Sequence, residues 1–114
     1  MQIKRFEDIK AWQKARELTL LTYELFKDSR DFKFRDQIQS ASVSIMNNIA
    51  EGFERSGNVE LRRFLYISKG SCAEVRSMLY LALDLKSINA KDFEKTYGLS
   101  LEISKMLSGF IKTL

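Results

Sequence analysis

The sequence predicts an all-α fold, an antiparallel up-down-up-down four-helix bundle, from three observations. The chain has no proline and only five glycines, so few residues interrupt a helix. Its apolar residues recur every three to four positions, which is the helical period rather than the alternation of a strand. The segments between the periodic stretches are about three to five residues long, and connections this short make successive helices antiparallel neighbours.

The composition is that of a globular protein with one domain, residues 1–114. Hydrophobic residues make up 45% and charged residues 30% of the chain, which suits a single core. The net charge of +4 permits binding to nucleic acid or to an acidic protein. The alternative is that the charge serves only to keep the protein soluble. No apolar run is long enough to span a bilayer and Met1 to Phe6 does not resemble a signal peptide, so we expect a cytoplasmic protein without a membrane partner.

The residue types present exclude most catalytic chemistry. The sequence contains no histidine, which argues against His-based triads, zinc sites and the Glu-x-x-His di-iron site of some bundles. The one cysteine, Cys72, cannot form an internal disulfide and lies among apolar residues, so we expect a buried thiol. Serine precedes lysine at Ser68 and Ser104, but adjacent helical side chains point about 100° apart. We therefore expect neither an enzyme nor a bound cofactor.

The first two helices are expected at about 8–28 and 34–54, after a lead-in formed by Met1 to Phe6. Asp8 is the expected N-cap of the first helix. Phe32 and Phe34, in and after a charge-rich connection, are expected to pack the turn against the core. The second helix has a face of small and β-branched residues that lets a neighbouring helix approach closely. This face consists of Ile38, Ala41, Ser42, Ile45, Ile49, Gly52 and Phe53.

The third and fourth helices are expected at about 59–86 and 90–113. A Ser-Gly-Asn cluster precedes the third helix, and its last residue, Asn58, is the expected N-cap. Asn89 with Asp92 three residues later resembles a capping box at the start of the fourth helix.

Apolar residues of the third helix cover about 200° of its circumference, whereas a helix that covers one core needs a stripe a little over 100° wide. These residues are Phe64, Leu65, Ile67, Cys72, Val75, Met78, Leu79, Leu81, Ala82 and Leu85. The surplus predicts a second buried surface, and we therefore expect copies of the chain to associate.

Cations and tyrosines share one side of the third helix. Arg62, Lys69 and Arg76 follow one another at intervals of seven residues, and Tyr66 and Tyr80 lie within the same arc of about 80°. Cations beside aromatic rings can hold phosphates and stack bases, as in proteins that bind single-stranded nucleic acid. The alternative is a solvated helix face with tyrosines lying over its edges. We call Arg62, Tyr66, Lys69 and Arg76 the basic ridge.

Two further groups complete the candidate residues. Lys10 and Lys14 of the first helix extend the basic surface if the fold brings them beside the third helix. The polar side of the second helix either hydrogen-bonds across a helix or subunit contact, or lines a small cleft. This polar side consists of Ser40, Ser44, Asn47, Asn48 and Glu51. The residues expected at helix-packing or oligomer contacts are Ser44, Asn48, Glu51, Gly52, Phe64 and Met78.

Several motifs along the chain form a recognisable set. Residues 6–15 combine Phe-Glu-Asp-Ile with Trp-Gln-Lys-Ala, and residues 48–52 read Asn-Ile-Ala-Glu-Gly. Arg-Phe-Leu at 63–65, Lys-Gly-Ser at 69–71 and Lys-Met-Leu at 105–107 continue the set over essentially the whole chain. The sequence thereby resembles the bacterial four-helix-bundle proteins that are encoded in intervening sequences of 23S ribosomal RNA genes.

This resemblance implies an assembly and a ligand class. Members of the family assemble into homo-oligomers, typically ring-shaped pentamers, so the resemblance implies a homopentamer. The family is also similar to the accessory protein of diversity-generating retroelements, a basic pentameric bundle that binds nucleic acid and a reverse transcriptase. The resemblance thus implies RNA or DNA as a partner, with a protein-protein adaptor as the alternative. The sequence departs from the family pattern at Ser40, where arginine is frequent, and at Lys33 and Lys86, where glycine is frequent.

Overall fold

A computed structural model describes residues 3–114 of the chain. Over this range the fold is all-α with no strand, which confirms the expected class. The first two residues of the expected lead-in, Met1 and Gln2, lie outside the described range. A short 3-10 turn at Phe6–Asp8 precedes four helices, which are α1 at Lys10–Phe26, α2 at Phe32–Glu54, α3 at Asn58–Asp84 and α4 at Ala90–Lys112.

The four helices form a square bundle with dimensions of 43 × 22 × 19 Å. Each helix packs against its neighbours in sequence, and α4 closes the bundle on α1. Over residues 3–114, the diagonal pairs α1 with α3 and α2 with α4 make no backbone contact. The α2–α3 seam is the most extensive of the four and the α1–α4 seam the least. Short connections between the helices produce this arrangement, because a short turn returns the chain beside the helix that it has just left.

Every helix contributes fully buried apolar side chains to one core. They are Leu18 from α1, Ile38, Ile45 and Ile49 from α2, Leu65, Val75 and Leu79 from α3, and Ile103 and Leu107 from α4. At Gly52 the α2 backbone approaches α3 so closely that an added Cβ would lie 2.6 Å from the Phe64 Cβ. The small residues of α2 therefore permit close helix packing, as the sequence pattern predicts.

Buried hydroxyl groups cross each seam between consecutive helices. Ser68 Oγ donates to Ile45 O at 2.9 Å and Ser100 Oγ to Cys72 O at 3.2 Å. The single proton of Thr19 Oγ1 is shared between Ala15 O of its own helix at 2.9 Å and Ser42 O of α2 at 3.2 Å. Between residues 3 and 114, no buried side-chain nitrogen or oxygen lacks a hydrogen-bond partner. Because each hydroxyl meets one particular carbonyl, these bonds favour a single axial register of the helices.

The expected N-cap is present at α4 and absent at α1 and α3. Asn89 Oδ1 accepts a hydrogen bond from the Asp92 backbone N–H at 2.7 Å. Asp8 does not cap α1, because it lies within the 3-10 turn that precedes the helix. Asn58 does not cap α3 because it is already helical, and Gly57, with φ of +93°, takes the N-cap position. Glycine adopts this positive φ without steric strain.

The first connection, residues 27–31, has the expected length but begins two residues earlier than expected, and its two phenylalanines behave differently. Asp31 Oδ1 accepts a hydrogen bond from the Phe34 N–H at 3.1 Å, and α2 begins at Phe32. The buried Phe34 ring packs edge-on against Phe26, with 5.5 Å between ring centroids. Phe32 is exposed instead, with the Arg35 guanidinium 4.8 Å from its ring centroid. Only Phe34 therefore packs the turn against the core.

The end of α3 is set by Lys86. This residue has φ of +60°, so the helix ends at Asp84, two residues earlier than expected. The Ser87 N–H donates to the Ala82 carbonyl at 2.9 Å, which closes the helix end in the manner of a Schellman motif.

Candidate nucleic-acid interface

The basic ridge lies at the α3–α4 seam. Arg76 Nη1 donates to the Ser100 Oγ of α4 at 3.4 Å, which places this side of α3 beside α4. Lys69 and Arg62 precede Arg76 by two and four helical turns, so the three cations stand about 10 Å apart along the helix axis. All three side chains are partly buried. Arginine and lysine at partly buried positions pack their alkyl stems on the protein and keep their charged ends in water.

The cations of the ridge differ from their neighbours in having no carboxylate partner. Arg63 Nε lies 3.0 Å from Glu60 Oε2, and Arg55 Nη2 lies 2.8 Å from Glu51 Oε2. The hydrogen bond to Glu60 raises the pKa of Arg63, and the same bond lowers the pKa of Glu60. In the part of the chain that the structure describes, none of the three ridge cations has a carboxylate oxygen within 4.0 Å. Their charge is therefore available to an anionic ligand.

An aromatic cluster stands at one end of the ridge. Tyr80 follows Arg76 by one helical turn and is 52% exposed. Its ring centroid is 5.3 Å from that of Phe93 and 5.4 Å from that of Tyr97, both on α4. Phe93 and Tyr97 stack on each other with an interplanar angle of 26°. We call Tyr80, Phe93 and Tyr97 the aromatic platform.

The two α4 rings of this platform, Phe93 and Tyr97, are not among the candidate residues that the sequence pattern indicates. Their four-residue spacing placed them on one helix face, and the short turn after α3 brought that face beside Tyr80. Combining these two facts would have identified the cluster before the structure was known.

The structure separates Lys10 and Lys14 from the basic ridge. Lys14 Nζ lies 3.5 Å from Glu17 Oε2 and 3.9 Å from Glu102 Oε1 of α4, so it faces the α1–α4 seam. Lys10, one turn earlier on α1, lies on the same side of that helix. Because α1 is diagonal to α3 and makes no backbone contact with it over residues 3–114, the two lysines do not form one surface with the ridge.

The polar side of α2 forms hydrogen bonds within α2 and to α3. Ser44 Oγ and Ser71 Oγ lie 2.9 Å apart across the α2–α3 seam. Asn48 Nδ2 donates to the Ser44 carbonyl at 2.8 Å within α2, and exposed Glu51 pairs with Arg55. A shallow depression of 420 Å³ lies beside them on the side facing α1. It is lined by Tyr23, Ser40, Val43, Ser44, Asn47 and Asn48.

The two large apolar residues expected at contacts, Phe64 and Met78, lie inside the single chain. Phe64 is 6% and Met78 9% exposed, so no second subunit is needed to bury them. Of the apolar residues that the sequence pattern assigns to the third helix, Ile67, Leu81 and, just after the end of α3, Leu85 remain exposed, at 41%, 47% and 59%. We call these three residues the apolar row. Apolar surface therefore does remain outside the core on α3. It is smaller than the sequence pattern indicates, and it does not include Phe64 or Met78.

The cysteine and the residue types that bind metals are the remaining chemical groups among the described residues. Burial raises the pKa of the Cys72 thiol to about 12, so the thiol is protonated at neutral pH. Residues 3–114 contain no group of three or more His, Cys, Asp or Glu side chains placed to hold a metal ion. The same residues include no helix with the combined length and apolarity that crossing a membrane requires.

The fold and this surface define a small helical-bundle protein with a basic ridge at one seam and an apolar row on the far side of the same helix. The chain belongs to the family of 23S rRNA-intervening sequence proteins, whose family model matches residues 7–109. That match confirms the resemblance seen in the sequence motifs.

A solved structure is similar to nearly the whole fold. It is the crystal structure of a protein of unknown function from the S23 ribosomal protein family of Bacteroides thetaiotaomicron. The similarity covers 90% of this chain and 98% of that chain, with a TM-score of 0.84 and 24% sequence identity. At this identity the similarity shows the fold alone. Comparison with the curated proteins gives no match.

Proposed function

We propose that this protein is a non-enzymatic oligomeric scaffold that binds RNA or DNA through the basic ridge of α3. One observation carries the proposal: Arg62, Lys69 and Arg76 stand in one row on α3, and over residues 3–114 none of the three forms an ion pair. A row of cations without internal partners favours a polyanion, because binding releases the counterions condensed on its phosphates. The resemblance carried by the sequence motifs implies the same ligand class.

The dimensions of the ridge suit a polymer better than a small anion. From Arg62 to Arg76 the helix advances by about 21 Å, which spans several phosphates of a nucleic acid strand. Exposed Tyr66 stands between the first two cations and adds a surface on which a base or sugar can pack. Because the three cations are partly buried, ordering their side chains on binding costs less entropy than it does at fully exposed positions.

The test is a binding curve against structured RNA and single-stranded DNA at about 50 mM and about 200 mM salt. We expect binding that weakens steeply as the salt concentration rises. Replacement of Arg62, Lys69 and Arg76 by alanine should reduce the slope of log K against log salt concentration by roughly two to three, because three phosphate contacts are lost. Absence of binding at the lower salt concentration, or unchanged binding by the triple variant, contradicts the proposal.

The matched control removes the same charge from another place. Replacing Lys27, Arg30 and Lys33 by alanine lowers the net charge equally, but these residues lie around the α1–α2 connection. We expect the control variant to retain most of the affinity, because its ridge is intact. An equal loss in both variants indicates that net charge alone determines binding.

The oligomeric part of the proposal is supported by the apolar row. Leu81 lines a groove of 250 Å³ with residues of α2, and Gln37 Nε2 of α2 donates to Glu74 Oε2 at 3.4 Å, so the row lies on the α2 side of α3. The row is about 150° around the helix from the ridge cations. A sister subunit that covers the row would leave the ridge open. The family resemblance supports a homopentamer as the assembly.

The same apolar row favours a second candidate function, a protein-protein adaptor that makes no contact with nucleic acid. A partner helix with its own apolar stripe would cover Ile67, Leu81 and Leu85 as a sister subunit does. Recovery of a stoichiometric partner protein from cell extract after nuclease treatment supports the adaptor, provided that the purified protein does not bind nucleic acid. Loss of that partner on nuclease treatment supports the nucleic-acid scaffold.

A further inference from the structure

We infer that the aromatic platform is a stacking site for an unpaired base, so that the ligand class of the basic ridge is single-stranded nucleic acid. This inference rests on the proposed function and extends it. The basic ridge alone does not distinguish duplexes from single strands, because both carry phosphates. The platform distinguishes them, because the face of a base is accessible only when that base is unpaired and unstacked.

The ring of Tyr80 is both accessible and held in place. About half of the residue is exposed, while Phe93 and Tyr97 contact the ring edge-on or at a tilt from α4. Phe93 and Tyr97 are themselves partly buried and packed against the core. A base that stacks on Tyr80 therefore meets a ring with little freedom to lose, and the entropic cost of ordering it is small.

The charges around the platform favour an anionic strand on one side only. Arg76, one turn before Tyr80, supplies a cation without a carboxylate within 4.0 Å among residues 3–114. The neighbouring phenol of Tyr97 raises the pKa of Tyr80, so the Tyr80 phenol is neutral at physiological pH and does not repel phosphate. Exposed Asp84, one turn beyond Tyr80, is unfavourable to a further phosphate. The strand is thus expected to run from Arg62 toward Tyr80 and to end there.

The experiment compares three labelled probes of equal length, about 15 nucleotides, by fluorescence anisotropy at low salt. One is a thymidine oligonucleotide, the second is an abasic oligonucleotide with the same number of phosphates, and the third is a duplex of that length. We expect wild-type protein to bind the thymidine oligonucleotide at least about tenfold more tightly than the abasic one. Equal affinities for these two probes overturn the inference without affecting the proposed function. Absence of binding to all three overturns both.

Variants locate the effect at Tyr80. Tyr80→Leu should reduce the thymidine-to-abasic preference to near one while leaving the abasic affinity unchanged, since the phosphates still meet the ridge. Tyr80→Phe should retain the preference, because the ring remains. Tyr23→Leu, which removes an exposed tyrosine on the α1 side of the bundle, serves as the control. An unchanged preference in Tyr80→Leu, or an equal loss in Tyr23→Leu, contradicts the inference. The wild-type comparison of thymidine and abasic probes needs no variant and remains decisive if Tyr80→Leu does not fold.

Discussion

Gly52 is the residue at which the packing of α2 on α3 leaves the least room for a side chain. A Cβ added there would lie 2.6 Å from the Phe64 Cβ, which is rigid because it is next to the α3 backbone. We expect Gly52→Ala to destabilise the fold by roughly 1–3 kcal/mol, because the helices must move apart. The measurement is the free energy of unfolding from urea denaturation.

Gly98→Ala is the control for this prediction. An added Cβ at Gly98, also inside a helix, meets no atom of residues 3–114 within 4 Å. The substitution should stabilise the protein by about 0.5–1 kcal/mol, because alanine loses less backbone entropy in a helix. Equal effects of the two substitutions would show that the close approach at Gly52 is absent in solution.

Lys86 has a strained backbone conformation, and replacement by glycine should relieve the strain. Its φ of +60° costs an L-residue roughly 1 kcal/mol, whereas glycine takes this conformation freely. We therefore expect Lys86→Gly to raise the free energy of unfolding by about 0.5–1 kcal/mol. Lys33→Gly, at the second residue of α2, should lower it instead, because glycine disfavours the helical conformation that Lys33 adopts. A Lys86→Gly variant that is less stable than wild type is inconsistent with this interpretation.

At the scale of the helix, the two asparagines at helix starts, Asn58 and Asn89, make unequal contributions to stability. Asn89 accepts a hydrogen bond from the Asp92 N–H, so Asn89→Ala should cost about 1 kcal/mol of stability. Asn58 makes no capping bond, because Gly57 holds the N-cap position of α3. Asn58→Ala should therefore change stability by no more than a few tenths of a kcal/mol. Thermal denaturation of both variants provides the comparison, and a larger loss at Asn58 contradicts the assignment of the caps.

These two caps also show how far sequence reasoning reaches at the level of elements. Helix number, order and approximate extent follow from apolar periodicity and from the lack of proline, since both act locally. Asn58 was wrongly expected to be a cap because a serine, a glycine and an asparagine in a row offer three possible starts. The positive φ of Gly57 decides among them, and that angle depends on how α2 and α3 meet.

The candidate site was predictable only in part, because some of its properties also depend on how the helices meet. The seven-residue spacing of Arg62, Lys69 and Arg76 already places them on one side of a helix. Two other properties of the site depend on how the helices are arranged, so the pattern of one helix does not predict them. Over residues 3–114 the three cations lack carboxylate partners, and Lys14 is separated from them. The apolar arc of α3 was overestimated because Phe64 and Met78 face α2 within the chain rather than a second surface.

For the whole molecule, the apolar row predicts where copies of the chain meet. We expect wild-type protein to have the mass of a pentamer in light scattering, and the double variant Ile67→Glu, Leu81→Glu to shift toward single subunits. Carboxylates in a buried apolar contact lose their hydration without gaining a partner, so association weakens. Leu20→Glu changes an exposed leucine on α1, which lies outside the apolar row, and should leave the mass unchanged. A wild-type protein that is a monomer at all concentrations removes the oligomeric part of the proposed function.

The weak α1–α4 seam has a consequence for how the chain folds. Three of the four seams join helices that are adjacent in sequence, so most contacts close only short loops and should form rapidly. The α1–α4 seam alone requires the two ends of the chain to meet, and it is also the least extensive. We therefore expect native-state hydrogen exchange to show lower protection in the terminal helices α1 and α4 than in α2 and α3. In that case the terminal helices open before the central pair, which remains the most persistent part of the bundle.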